Sequence, residues 1–286
     1  MKELQLEIIR FIQQFMSPFW DQTFEIITQF GEELLAFVAI SVLYYGYKKE
    51  IGKKVMYFLL VSLTLNGALK FLLKLPRPIG EPGVRSVRVE TATGYSFPSG
   101  HAQLAGTLYP ALANIIKRQW FNILTIIIVI LVAISRVYLG VHYPVDAVVG
   151  AILGIAIVVG GEFLYHNYKN ETYIYGITAV IFLPFAIIFF FDGDAQLAAD
   201  FYKVYGLLLG IFAAIEYEKR FINFKDTKVW SVRIIRVTLA MVAILAIKEG
   251  LKLFTPDTYW MDFIRYFLMG LIPIGLLPHL FKPLKL

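Results

Sequence analysis

Three short clusters hold most of the residues in this chain that could do chemistry. In the first, Lys70 is followed after six residues by Arg77-Pro78; the second is Pro98-Ser99-Gly100-His101; the third runs Ser135-Arg136, then His142, then Asp146. The cations among them suit a phosphoryl group, which during transfer spreads negative charge over three equatorial oxygens and needs mainly to be positioned and neutralised. Arginine (Arg77, Arg136) offers a planar fork that matches phosphate oxygens, and lysine (Lys70) a point charge. Ser99 and Gly100 read as the opening of a helix, where free backbone N–H groups favour an anion and glycine admits it close to the chain.

The absence of cysteine excludes thiol catalysis, disulfides and zinc–thiolate sites. No cluster of histidines and carboxylates has metal-ligand spacing, so neither a metal nor a cofactor is expected, and the nucleophile should be a side chain. His142 is the candidate, because Asp146, four residues on at a helix start, can hold its Nδ1–H and leave Nε2 free to attack. His101 would protonate the leaving alkoxide and later activate the water that cleaves a phosphohistidine. With His142 neutral and His101 charged at the outset, a bell-shaped pH–rate profile follows. Singly, each cluster has an ordinary explanation: a snorkelling interface lysine, a loop start, a helix cap, a structural His–Asp pair. Their joint order, spacing and common face argue against coincidence.

A bilayer is the setting that must position these groups. The chain has 286 residues, 58% hydrophobic and only 17% charged, against about 25% charged in soluble domains. Windows of about 20 apolar residues, the length that spans a membrane, fall near 23–47, 53–74, 98–116, 121–139, 144–165, 173–191, 200–218, 234–253 and 260–280. The expectation is an all-α, polytopic transmembrane bundle of eight to nine spans forming one membrane domain over 1–286, with a catalytic core at 53–165 and an added bundle at 173–281. Leu4, Ile8, Phe11, Ile12 and Phe15 recur at helical spacing and predict an interfacial amphipathic helix within 1–17. Ser17-Pro18 reads as the cap and first turn of the next helix. No signal peptide is expected.

Lys and Arg in short loops set the orientation. Loops 48–54, 117–120, 166–172, 219–233 and the tail 282–286, with their span ends, hold 15 Lys/Arg and 6 Asp/Glu; the other face holds the remaining 12 and 15, so the balance is +9 against −3. Placing the positive set in the cytoplasm sends loop 75–97, turn 139–143 and all three clusters to the outer face of a bacterial cell membrane. The total charge of +6 lies in such short runs and not in one patch, so no nucleic-acid partner is expected. His166 and His279 read as interfacial residues, Arg85 and Arg88 as solvated loop charges, and Lys248-Glu249 as either an intramembrane functional pair or a buried ion pair.

Lys70…Arg77-Pro78, Pro98-Ser99-Gly100-His101 and Ser135-Arg136…His142…Asp146 together resemble the three-part signature of the type-2 phosphatidic-acid phosphatase superfamily. The likeness covers roughly residues 53–160 and departs from the signature at no position. It implies His142 as nucleophile, His101 as acid/base, Asp146 as its orienting partner, and Lys70, Arg77, Ser99, Gly100 and Arg136 as phosphate ligands. The longer architecture is similar to that of sphingosine-1-phosphate phosphatases and their bacterial relatives. The expected activity is metal-independent hydrolysis of a lipid phosphate monoester of the phosphatidate, sphingosine phosphate or phosphatidylglycerophosphate type, with membrane lipids as the surroundings. Undecaprenyl diphosphate is the runner-up substrate, a soluble sugar phosphate comes third, and a lipid transporter or scramblase is the rival from another class. Oligomeric state is left open.

Overall fold

The computed structural model describes residues 2–168, 170–192, 195–254, 256 and 258–286. Among these it contains eleven α-helices, some prolonged by wider π turns, and no strand: α1 (Lys2–Gln13), α2 (Pro18–Gln29), α3 (Glu33–Ser41), α4 (Lys49–Leu73), α5 (Gly100–Ile116), α6 (Gln119–Tyr138), α7 (Pro144–Asn167), α8 (Glu171–Asp192), α9 (Ala195–Tyr217), α10 (Trp230–Leu245) and α11 (Tyr259–Leu271). Local chemistry sets the boundaries. Ser17 caps α2 by accepting the Trp20 N–H, with Pro18 in the first turn, where its missing donor costs nothing. Thr258 caps α11 in the same way. α4 stops at Lys74, which turns left-handed at φ 44° just ahead of Pro76 and Pro78.

Every apolar window in the sequence coincides with helix. Among the described residues seven helical segments are long and apolar enough to cross a membrane, and the α2–α3 pair, with its extension to Tyr47, makes an eighth as one broken span. α5 has 17 residues, about 25 Å at 1.5 Å per residue, and corresponds to the remaining window. Outward faces are strongly apolar: Ile126 and Ile130 on α6, and Ile152 and Val159 on α7, are all exposed. Surfaces of that kind are suited to lipid and would aggregate in water.

Backbone packing divides the chain into two compact units, residues 1–35 with 65–163 and residues 36–64 with 164–286. In the first, α1 has two apolar faces. Leu4, Phe11 and Phe15 point outward, as an interfacial helix requires, while Leu6 and Ile9 are fully buried against Ala102, Val137, Tyr143 and Ala147. The helix therefore forms part of the unit's core as well as its lipid-facing surface.

In the second unit, several buried charges are paired. Lys49 meets Glu218 at 3.0 Å, Lys53 lies between Glu50 (2.5 Å) and Glu171 (3.0 Å), and Lys203 reaches Asp262 at 3.5 Å beside Arg265. Lys248 and Glu249 do not behave as the buried ion pair considered from sequence. Glu249 is exposed, Lys248 half-buried, and neither forms an ion pair among the described residues. His166 and His279 are both exposed.

Candidate active site

Four helix ends and one loop bring the three clusters together at one end of the first unit. Lys70 comes from the last turn of α4, Ser99 and Gly100 from the start of α5, Arg136 from the last turn of α6, and Asp146 from the first turn of α7. Arg77 lies in the 74–99 loop and His142 in the turn between α6 and α7. Close packing sets the register. A Cβ at Gly150 would lie 2.6 Å from the Ser99 carbonyl oxygen, so only glycine lets α7 pass this near the start of α5. There the Ser99 N–H donates to the Asp146 carbonyl at 3.0 Å. From α4, Asn66 donates to the Pro98 carbonyl (3.2 Å) and to Gln103 Oε1 (2.8 Å), which fixes the loop-to-helix turn.

The geometry around His142 defines its tautomer. Arg77 Nη1 lies 2.9 Å from Nε2. A guanidinium only donates, so Nε2 accepts and the ring proton sits on Nδ1. Nδ1 faces Asp146 Oδ2 at 3.5 Å. That oxygen also accepts the Tyr143 N–H (2.9 Å) and the Ser96 hydroxyl (2.5 Å), so the carboxylate is anchored on two sides. Both members of the pair are buried. Burial and then the positive charges of Arg77, Arg136, Lys70 and His101 hold the His142 pKa well below the ordinary imidazole value. Its resting form is therefore the neutral ring with a lone pair on Nε2.

Facing that lone pair is a set of donors suited to an anion. Arg136 is fully buried; its Nη1 donates to Thr28 Oγ1 at 2.9 Å, whereas Nε and Nη2 have no partner among the described residues. Ser99 Oγ and His101 Nε2 are also buried without a partner. Ser99 makes no cap with its side chain, so the first N–H groups of α5 stay open as an anion-binding terminus. Arg77 is aimed by the carbonyls of Thr93 (2.7 Å), Gly94 (2.9 Å) and Val141 (2.8 Å). Buried donors left unpaired are costly unless a ligand takes them; a phosphate-sized anion would. No group of three or more His, Asp or Glu side chains that could hold a metal ion occurs among the described residues.

Residues outside the three clusters also reach the site. Ser96 bonds Asp146 and lies 3.4 Å from His142 Nδ1, and Thr28 anchors Arg136. Ser96 stands only two positions before Pro98, but its type alone gives no reason to single it out. Thr28 becomes a neighbour of α6 only once α2 has packed. Arg85, read from sequence as solvated, is exposed and pairs with Asp21 at 2.6 Å; Arg88, given the same reading, is instead half-buried and pairs with Glu32 at 3.0 Å.

A polytopic helical protein with an oriented histidine facing a cationic, helix-capped anion cradle is thereby defined. Residues 52–173 match the PAP2 superfamily and residues 202–286 match the PAP2 superfamily phosphatase transmembrane extension; the chain belongs to the PAP2 superfamily. The undecaprenyl-diphosphatase of Sulfolobus acidocaldarius is 30% identical over 130 residues, 45% of this chain and 62% of its own length. Sphingosine-1-phosphate phosphatase 1 of Mus musculus is 24% identical over 255 residues, 80% of this chain and 59% of its own. This chain thus spans somewhat under two thirds of either relative. The crystal structure of Aquifex aeolicus LpxE is similar at 25% identity and a TM-score of 0.50, covering 55% of this chain and 94% of that one.

Proposed function

We propose that this chain is a metal-independent membrane phosphatase that cleaves a lipid phosphate monoester through a phosphohistidine on His142. The observation that carries the reading is the His142 ring itself, neutral, with Nδ1–H toward Asp146 and Nε2 toward Arg77. In this mechanism Lys70, Arg77, Arg136, Ser99 Oγ and the N–H groups from Gly100 onward bind the phosphate oxygens. Arg77 moves from Nε2 onto one of those oxygens as the substrate arrives. Nε2 then attacks phosphorus in line while His101 gives a proton to the departing alkoxide. Water, deprotonated by His101, attacks the phosphohistidine and releases inorganic phosphate. Charge stabilisation by positioned cations and backbone donors supplies most of the rate.

The substrate class is a phosphorylated lipid in the outer leaflet of a bacterial cell membrane, because the charge balance of the loops turns the site outward and exposed apolar helix faces flank it. Sphingosine phosphate, phosphatidate and phosphatidylglycerophosphate all fit a single-phosphate cradle. Undecaprenyl diphosphate is the second reading, favoured by the Sulfolobus relative. The test is phosphate release from these four substrates in detergent or nanodiscs, with excess chelator present. Release should persist under chelation and vanish in His142→Gln, and rapid quenching should trap an acid-labile, alkali-stable phosphoenzyme in the wild type only. Full turnover by His142→Gln would sink the mechanism. A lipid transporter or scramblase would release no phosphate from any of them.

A further inference from the structure

The break between α2 and α3 lies against the proposed acid/base histidine. A Cβ at Gly31 would be 2.7 Å from the His101 carbonyl oxygen, so glycine there lets the chain run directly over the start of α5. The next residue, Glu32, places Oε1 4.0 Å from His101 Nε2 and 3.0 Å from Arg88 Nη2. Both Glu32 Oε1 and His101 Nε2 are buried, and neither has a hydrogen-bond partner among the described residues. Arg88 is itself held in place: its Nη1 reaches the Glu25 carbonyl at 3.3 Å, and its Nε lies 3.9 Å from Glu90.

His101 stands in a cationic neighbourhood. Arg136 from α6, Lys70 from α4, and Arg77 and Arg88 from the 74–99 loop all act on it electrostatically, and His142 faces it from the α6–α7 turn. Each of the four cations opposes a proton on the imidazole. Among the described residues Glu32 is the one carboxylate within 4.0 Å of the ring. A general acid in this setting needs such a counterweight, since an opposite charge within about 4–6 Å favours the charged form.

We propose that Glu32 is the positioning carboxylate of His101: its charge, 4.0 Å from Nε2, favours the imidazolium whose Nε2–H goes to the leaving group, and Arg88 sets how much of that charge the ring receives. This rests on the phosphatase reading given above. Glu32 forms no covalent bond. In the first step the P–O bond to the alcohol breaks as the bond from phosphorus to His142 Nε2 forms, and the His101 proton passes to the alkoxide oxygen. In the second step the water oxygen bonds to phosphorus, the P–N bond breaks, and the proton shed by water returns to His101 beside Glu32. One water is consumed; one alcohol and one hydrogen phosphate are released.

Two substitutions should move one observable in opposite directions. Glu32→Gln removes the counterweight, so the alkaline limb of kcat/KM for an alkyl phosphate should shift down by about one pH unit. Arg88→Gln leaves Glu32 wholly to His101, so the same limb should shift up, and Glu32→Asp should bring it back toward the wild-type position. A second readout separates acid catalysis from packing. p-Nitrophenolate departs with little proton assistance, so the ratio of alkyl- to aryl-phosphate rates should fall about tenfold in Glu32→Gln, a fraction of the 10²–10⁴ that general acids typically supply. An unmoved limb in Glu32→Gln, or equal losses on the two substrates, would overturn the assignment of Glu32 while leaving the phosphatase reading intact, provided the wild type is active and His142→Gln is dead. A wild type without phosphatase activity would overturn both. If Glu32→Gln fails to fold, Glu32→Asp decides: its withdrawn charge should lower the limb part of the way and the alkyl- to aryl-phosphate ratio with it, and an unmoved limb and ratio would overturn the assignment.

Discussion

At the scale of single residues, the site is governed by a conflict between burial and charge. His142 is enclosed and surrounded by cations, which hold its pKa well below the usual 6.5. A depressed imidazole pKa means that the neutral, nucleophilic ring persists as pH falls and is lost only when pH drops through the lowered value. The acidic limb of kcat/KM, after allowance for the substrate's own ionisation, should therefore lie well below pH 6.5, apart from the alkaline limb that His101 sets. A profile measured from about pH 4 to about pH 8 checks this, and an acidic limb centred near 6.5 would contradict it. The residues that make this environment were unequally legible. His142, Asp146, Arg77 and Arg136 announce themselves because ionisable side chains at fixed spacing in an apolar sequence need a reason. Ser96 and Glu32 do not, because a serine in a loop and a glutamate at a helix start have many ordinary uses. Their importance comes from the partners that folding brings to them, 50 and 69 residues away for Ser96–Asp146 and Glu32–His101.

At the scale of elements, α1 couples the lipid surface to the loop that carries Arg77. Its outward residues Leu4, Phe11 and Phe15 were readable from periodicity, and the sequence pattern assigned the whole apolar face to the interface. The inward residues Leu6 and Ile9 escape that reading because they lie on the other side of the same short helix and pair with α5, α6 and α7 only in three dimensions. The polar contacts are equally non-local. Gln13 donates to the carbonyls of Arg85 (2.7 Å) and Tyr138 (2.9 Å) and accepts from the Arg85 N–H (3.0 Å). Arg10 donates twice to the Pro82 carbonyl, and Lys2 pairs with Glu81. At about 0.5–1.5 kcal/mol net per hydrogen bond, Gln13 ties α1 to the loop through two bonds, as Arg10 does, and adds a third to α6. Gln13→Ala should loosen that loop without unfolding the protein. Trypsin should then cut after Arg85 or Arg88 several-fold faster than in the wild type, and KM should rise more than kcat falls. Unchanged cleavage would mean that the loop holds itself.

At the scale of the whole molecule, the helical windows of the sequence translate directly into the structure because a bilayer leaves the backbone few alternatives. Orientation is a different matter, since it depends on small charge differences between loops and not on packing. From the +9 against −3 balance of charged residues we propose that the 74–99 loop lies outside and the segment between α9 and α10 inside, following the tendency of Lys and Arg to remain cytoplasmic. The chain has no cysteine, so single reporters can be introduced without background. Thr93 and Lys228 are both exposed, one in each of these segments. With an impermeant maleimide added to intact cells, Thr93→Cys should be labelled and Lys228→Cys should be spared until the membrane is opened. Phosphate release from lipid delivered to the outer leaflet should then match the labelled face, since the Arg77 guanidinium is held by the Thr93 carbonyl itself. Labelling of Lys228→Cys and not Thr93→Cys would reverse the orientation and move the substrate to the inner leaflet, while leaving the geometry around His142 unchanged.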